Sequence, residues 1–100
     1  MKIEISSPAL AFFKDEFDIA KTPSIRLFAK YGGNSNIHQG FSVGIMAEEM
    51  VDPVVEVPVD QMVFFIEETD FWYFEGHDWH IDYDHQTDSL DFGPVTSTDR

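Results

Sequence analysis

Apolar and polar side chains alternate along SIRLFAKY, residues 24–31, and this period of two most constrains the fold. It is typical of a half-buried β-strand. Further strand-like runs are MKIEI, GFSVGI, VVEVPV, MVFFIE and HDWHIDYD, at residues 1–5, 40–45, 54–59, 62–67 and 77–84. Pro58 cannot donate a ladder hydrogen bond, so VVEVPV is predicted to be an edge strand.

Helical signals are fewer. Ser7 and Pro8 are typical of an N-cap and first helical position, and they predict a helix over residues 9–18 with a buried face. A short helical turn is predicted over 69–74, ending before Gly76. Runs of strands with two helices and no βαβ alternation predict an α+β fold with mixed or antiparallel strands.

The chain has 100 residues, a common size for one domain. Its hydrophobic content of 43% is enough for a core and argues against a disordered chain. We expect a single domain over residues 1–92. The polar residues 93–100 are expected to form a flexible tail.

Six basic residues against nineteen acidic ones leave a net charge of −13. Such a chain repels phosphate backbones and anionic membranes, so neither nucleic acid nor a membrane is an expected partner. A basic protein or a cation suits it better. The N-terminal apolar run is too short and too interrupted for a signal peptide or membrane span, so we expect a cytoplasmic protein.

No cysteine is present. Disulfides, thiol nucleophiles, cysteine zinc sites and cysteine-held iron–sulfur clusters are therefore excluded within this chain. No serine lies in a nucleophile-elbow pattern, and no histidine pairs obviously with a serine or a buried carboxylate. We therefore expect a protein that is not an enzyme.

The loop YGGNSNIHQG, residues 31–40, is rich in glycine and asparagine. It lacks a GxGxxG pattern and precedes a strand, so no helix N-terminus follows to receive a phosphate. Two alternatives remain open. The loop is a wide hairpin connection, or it is a ligand loop that uses Asn34, Ser35, Asn36 or His38.

Two further groups carry candidate chemistry. Asp78, His80 and Asp82 share the outward face of the last predicted strand and, with His77 nearby, form a candidate site for a divalent metal. The alternative is an ordinary solvated strand face. In the aromatic run FWYF, Trp72 or Tyr73 is a candidate contact residue on the surface, because a short helix cannot bury all four rings.

The order of these pieces resembles the HesB/IscA-like family of iron–sulfur cluster biogenesis proteins. The matching positions are Arg26, Gly33, Ser35, Gly76, Ile81, Asp82 and Tyr83. The resemblance covers nearly the whole chain and implies a compact, β-rich HesB-like domain. It also implies that Asn34 occupies the position of the family's loop cysteine, while the tail lacks the family's C-terminal Cys-Gly-Cys.

Asparagine is a poor substitute for a thiolate ligand, so the family's carrier chemistry is not expected here. The chain is similar to the cysteine-free branch of the family. We expect no cofactor and no iron–sulfur cluster. The predicted function is that of a non-catalytic binding or accessory protein, with a protein partner or a second copy as its ligand. The alternative is a protein that binds a divalent metal through histidine and aspartate.

Overall fold

The computed structural model describes residues 1–32 and 40–95. In chain order the elements are β1 (Ile3–Ile5), α1 (Ser7–Glu16), β2 (Ser24–Tyr31), β3 (Phe41–Ala47), β4 (Pro53–Val59), β5 (Met62–Glu67), a 3₁₀ turn (Glu68–Asp70), α2 (Phe71–Phe74), β6 (Asp78–Asp84) and β7 (Ser89–Val95). They form two compact units: a terminal unit of Met1–Glu16 with Gly76–Arg100, and a central unit of Phe17–Glu75.

The terminal unit is a three-stranded sheet with the order β1-β6-β7. β1 runs parallel to β6, and β7 is antiparallel to β6. Helix α1 packs against β6. The buried apolar side chains of this unit are Ile3, Ala9, Phe13, Trp79 and Ile81.

The central unit is a four-stranded sheet with the order β3-β2-β5-β4. β2 is parallel to β5, while the outer strands β3 and β4 are antiparallel to their neighbours. β4 lies at the edge, as Pro58 predicted. The buried apolar side chains of this unit are Ile25, Leu27, Met62, Phe64, Phe65, Ile66, Tyr73 and Phe74.

The first helix begins one residue earlier than its sequence signals indicated. The Ser6 hydroxyl accepts a hydrogen bond from the Ala9 amide at 3.2 Å, which makes Ser6 the capping residue, and Ser7 already lies inside the helix. The helix ends at Glu16 and not at residue 18. Two serines in succession offer two caps, and the one whose hydroxyl reaches the third amide of the helix is selected.

The strand β7 was not predicted. Residues 89–95 pair along their whole length with β6, and Leu90 and Phe92 lie opposite Tyr83 and Ile81. The strand continues to Val95, so residues 93–95 belong to the sheet. This corrects the prediction that a flexible tail begins after residue 92. β7 is an edge strand that contains Asp91, Gly93 and Pro94, residue types that are depleted in strands, so its own sequence is a weak strand signal. The assignment of residues 1–92 to a single domain stays a prediction.

The predicted fold class is confirmed: the protein is a β-rich α+β protein with mixed sheets, an N-terminal helix and a short second helix. Within residues 1–32 and 40–95, no helix has the length and apolar character needed to cross a membrane.

Candidate functional site

The predicted ligand loop lies largely outside the residues that the structure describes. This applies to Gly33, Asn34, Ser35, Asn36 and His38. Its two ends are described: the Gly32 amide donates to the Gly40 carbonyl at 2.7 Å, and both glycines have positive φ. Glycine adopts this conformation at little cost. The choice between a hairpin connection and a ligand loop therefore stays a prediction.

The carboxylates of the predicted metal row contact the N-terminal segment. Asp78 accepts a hydrogen bond from the Lys2 amide at 2.8 Å, and Asp82 accepts one from the Ser6 hydroxyl at 2.6 Å. Ser6 in turn caps α1. The two aspartates thus fix β1 and the start of α1 against β6.

The two histidines of the predicted metal site, His80 in the row and His77 near it, have separate surroundings. The His80 imidazole lies 3.8 Å from the Asp91 carboxylate on β7. The His77 ring makes an edge-on contact with Trp79, at a centroid distance of 6.2 Å. In the described part of the chain, no three histidine, aspartate or glutamate side chains are grouped so as to hold a metal ion. Divalent-metal binding at this row stays a prediction without a supporting contact.

Of the two predicted contact aromatics, one is on the surface. Trp72 is 46% exposed, whereas Tyr73 is fully buried beside Phe74. This corrects the placement of Tyr73 on an interaction surface. The reason is the helical turn of α2, which directs consecutive side chains about 100° apart, so that Tyr73 and Phe74 face the core and Trp72 does not.

Trp72 belongs to a group of three rings in the central unit. Phe41 makes edge-on contacts with Trp72 and with Tyr31, at centroid distances of 5.3 Å and 5.6 Å. Tyr31 is 86% exposed. We call Tyr31, Phe41 and Trp72 the aromatic cluster. Rings that are exposed yet held by their neighbours are suited to bind another protein, because little side-chain freedom remains to be lost.

In the same unit, Arg26 joins two carboxylates from different parts of the chain. Its Nη2 lies 2.7 Å from Asp70, and its Nη1 lies 3.2 Å from Glu48. Asp70 also accepts a hydrogen bond from the Ala29 amide at 3.3 Å, just past the point where β5 stops pairing with β2. The hydrogen bond to Asp70 is the main reason why the pKa of the Arg26 guanidinium lies above its ordinary value.

Glu67 is the second buried carboxylate of the central unit. It accepts hydrogen bonds from the Val51 and Asp52 amides, at 3.2 Å and 3.0 Å. Asp70 and Glu67 are each only 8% exposed. The Glu67 carboxylate therefore holds the backbone at residues 51–52, and the Asp70 carboxylate holds the Arg26 side chain and the Ala29 amide.

Sequence reasoning missed the aromatic cluster and the Arg26 network. Tyr31 and Phe41 fell in separate predicted strands, and only their register, in which they lie directly opposite each other, brings the rings together. A signal was available, because the residues that flank a hairpin loop face each other across it. Asp70 gave no comparable signal, since its partners lie more than forty residues earlier in the chain.

Relatives of this chain are found among small bacterial proteins. It is 38% identical over 88 residues to a protein named pyruvate dehydrogenase inhibitor from Bacillus subtilis strain 168, a match that covers 88% of this chain and 93% of that one. An uncharacterised protein of Staphylococcus saprophyticus is 32% identical over 95 residues, covering 92% and 97%. One of Staphylococcus aureus MRSA252 is 37% identical over 84 residues, covering 81% and 84%. No family model matches the chain.

Among solved structures, the chain is similar to Escherichia coli SufA, which is involved in the biosynthesis of iron–sulfur clusters. The TM-score is 0.64 with 14% identity, covering 97% of this chain and 83% of SufA. At this identity the likeness shows the fold alone. It confirms the HesB/IscA-like fold that the resemblance implied. It does not make the chain a member of the iron–sulfur biogenesis family.

These sequence matches extend over most of each protein, and the name of the Bacillus subtilis relative is that of an enzyme inhibitor. On a HesB/IscA-like fold without cysteine, this chain belongs to the family of small proteins that includes the pyruvate dehydrogenase inhibitor of Bacillus subtilis.

Proposed function

We propose that this protein is a non-catalytic, cytoplasmic inhibitor that binds pyruvate dehydrogenase. The observation that carries the proposal is the 38% identity to the Bacillus subtilis inhibitor over nearly the full length of both chains. The match spans 88% of this chain and 93% of the relative, so it is not confined to one segment. The aromatic cluster supports the proposal by offering an exposed apolar contact face in the central unit.

The charge of the chain is compatible with a basic protein partner, and it disfavours nucleic acid and anionic membranes. A net charge of −13 favours a basic surface on the partner and accelerates encounter with it. The absence of cysteine leaves an iron–sulfur cluster without its usual thiolate ligands, so the proposal includes no cluster and derives no step through one. The protein then inhibits by occupying a surface of the enzyme.

The test is a titration of the purified chain into a pyruvate dehydrogenase assay, using enzyme from the same organism. We expect activity to fall with increasing chain and to level off when the enzyme is saturated. Because the attraction is partly between exposed charges, inhibition should weaken as salt is raised above about 0.15 M. Unchanged activity at a large excess of correctly folded chain would contradict the proposal.

A control separates inhibition by binding from a general effect of an acidic protein. A second acidic protein of similar size and charge, added at the same concentrations, should leave the activity unchanged. If both proteins inhibit equally, the effect is non-specific electrostatics and the proposal fails.

A further inference from the structure

Four strands lie at the edges of the two sheets in the described chain, and three of them carry features that oppose pairing with another strand. β4 contains two prolines, a glutamate and a register shift, and β7 contains Pro94 and Asp91. β1 has three residues, one of them Glu4. Prolines, charges, bulges and short length are the usual protection of a sheet edge against strand addition.

β3 has none of these features. Its sequence FSVGIMA runs for seven residues without a charge or a proline, and its register with β2 is continuous. Its side chains are mostly half-buried, with Met46 41% exposed. A regular, uncharged edge of this length is a template on which an extended polypeptide can pair.

The hydrogen bonds at the two ends of the hairpin fix the orientation of the β3 backbone. The Gly32 amide donates to the Gly40 carbonyl at 2.7 Å, and the Glu48 amide donates to the Ser24 carbonyl at 3.1 Å. In an antiparallel ladder, alternate residues point their N–H and C=O groups at the partner strand. The even-numbered residues of β3 therefore face β2.

The odd-numbered residues of β3 direct their backbone groups away from β2. They are Phe41, Val43, Ile45 and Ala47. No backbone partner for these groups is present in residues 1–32 and 40–95, because β3 pairs only with β2 there. Four amides and four carbonyls are thus arranged at the spacing that an added strand requires.

The surroundings of this edge indicate the chemistry of the added strand. At one end of β3, Phe41 lies in the aromatic cluster. This cluster offers apolar contacts to alternate side chains of the added strand. At the other end Glu48 and Glu49 follow directly. The central unit as a whole has ten acidic and three basic residues. Apolar side chains interspersed with lysine or arginine complement this edge.

We propose that the outer edge of β3 binds an extended segment of the partner protein, apolar and basic in alternation, as a fifth strand of the central sheet. The inference rests on the proposed function only in taking pyruvate dehydrogenase as the protein that carries the segment. Main-chain hydrogen bonds to β3 supply affinity, and the aromatic cluster and Glu49 select the sequence.

The first test uses a blocked peptide of alternating valine and lysine, equal in length to β3, titrated into the ¹⁵N-labelled chain. We expect saturable shifts and slowed hydrogen exchange at the amides of Phe41, Val43 and Ile45. A peptide of the same composition with proline at alternate positions should not bind. Saturable changes elsewhere, or no binding by the first peptide, would overturn the proposal.

A backbone variant tests the same edge. Ile45→Pro removes one outward amide without removing a bond to β2, and it should weaken peptide binding about tenfold, since a buried carbonyl of the peptide loses its donor. Glu56→Pro is the matched control on β4. The two-residue turn between Val59 and Met62 makes the Glu56 amide point outward as well. The control should change binding by less than about twofold.

Two charge-reversal variants test whether the acidic end of β3 attracts the basic side chains of the bound segment. Glu49→Lys, at the end of β3, should weaken binding about threefold, whereas Glu56→Lys, the same change on the opposite edge, should not. Sedimentation of the chain alone tests whether a second copy of the chain occupies the β3 edge. A dimer whose β3 amides are already protected would assign the edge to a second copy and overturn the proposal.

The failure of this inference is distinguishable from that of the proposed function. If the chain inhibits pyruvate dehydrogenase but the peptide neither binds β3 nor relieves inhibition, the function stands and the edge inference fails. If the peptide binds β3 but the enzyme is unaffected by the chain, the edge inference stands and the proposed partner is wrong.

Discussion

Arg26 illustrates, at the scale of single residues, how the central unit uses its few basic side chains. It is ion-paired with Asp70 at 2.7 Å and with Glu48 at 3.2 Å, and its guanidinium lies over the Phe28 ring at 5.5 Å. Asp70 is only 8% exposed, so the stabilisation of this buried side chain depends on the ion pair with Arg26. The network therefore holds the 3₁₀ turn against the middle of the sheet.

Replacing Arg26 should expose that dependence. Arg26→Ala leaves the Asp70 carboxylate buried without its counter-charge and should lower the free energy of unfolding by about 2–3 kcal/mol. Glu48→Ala removes a more exposed partner and should cost less than about 1 kcal/mol. Urea denaturation of both variants measures the difference. Equal costs would show that Asp70 does not depend on Arg26.

The pKa of Arg26 determines how this loss varies with pH. Because the folded-state pKa is raised, the contribution of Arg26 is fully present below the ordinary arginine pKa and is lost only as pH rises through the folded value. The difference between wild type and Arg26→Ala should therefore be constant from about pH 6 to pH 9. A marked fall within that range would contradict the assignment.

Gly44 is the second residue with a specific role. A methyl group added there would lie 2.3 Å from the Phe28 ring, directly across the β2–β3 ladder. Gly44→Ala should therefore destabilise the protein by about 1–2 kcal/mol, since the ring must leave its place. In a Phe28→Ala background the same change should stabilise by about 0.5–1 kcal/mol, because alanine is better than glycine in a strand. If Gly44→Ala also destabilises the protein in the Phe28→Ala background, a clash with the Phe28 ring is not the cause of its effect.

At the scale of elements, the start of α1 links the helix to the terminal sheet. Ser6 caps the helix through the Ala9 amide and donates to Asp82 on β6. Ser6→Ala should cost about 1 kcal/mol of unfolding free energy, whereas Ser7→Ala, inside the helix, should cost less than about 0.5 kcal/mol. Thermal denaturation of the two variants tests which serine caps the helix. A larger loss of stability in Ser7→Ala than in Ser6→Ala would identify Ser7 as the N-cap.

The elements that could be predicted from the sequence are those with a strong local pattern. β2 alternates apolar and polar residues, β5 is a continuous apolar run, and Pro58 marked β4 as an edge. β7 was missed because its pairing with β6, and not its own composition, makes it a strand. The same limit applies to the candidate site: Trp72 was visible in the sequence, but the aromatic cluster and the Arg26 network depend on register and on contacts distant in the chain.

At the scale of the whole molecule, the fold and the composition give opposite indications about iron–sulfur chemistry. The fold is shared with SufA, while the chain has no cysteine. We predict that incubation with iron and sulfide, followed by desalting, leaves no cluster absorbance on the protein, since thiolate ligands are absent. A stable cluster would contradict this prediction and would require ligands other than thiolates. SufA treated in parallel is the positive control.

The proposed function requires that this chain binds pyruvate dehydrogenase directly. Isothermal titration calorimetry of the purified chain against the purified enzyme tests it without dependence on an activity assay. We predict saturable binding with a fixed stoichiometry, weakened by salt and by Ile45→Pro but not by Glu56→Pro. No detectable heat, confirmed by separate elution of the two proteins in size-exclusion chromatography, would contradict it.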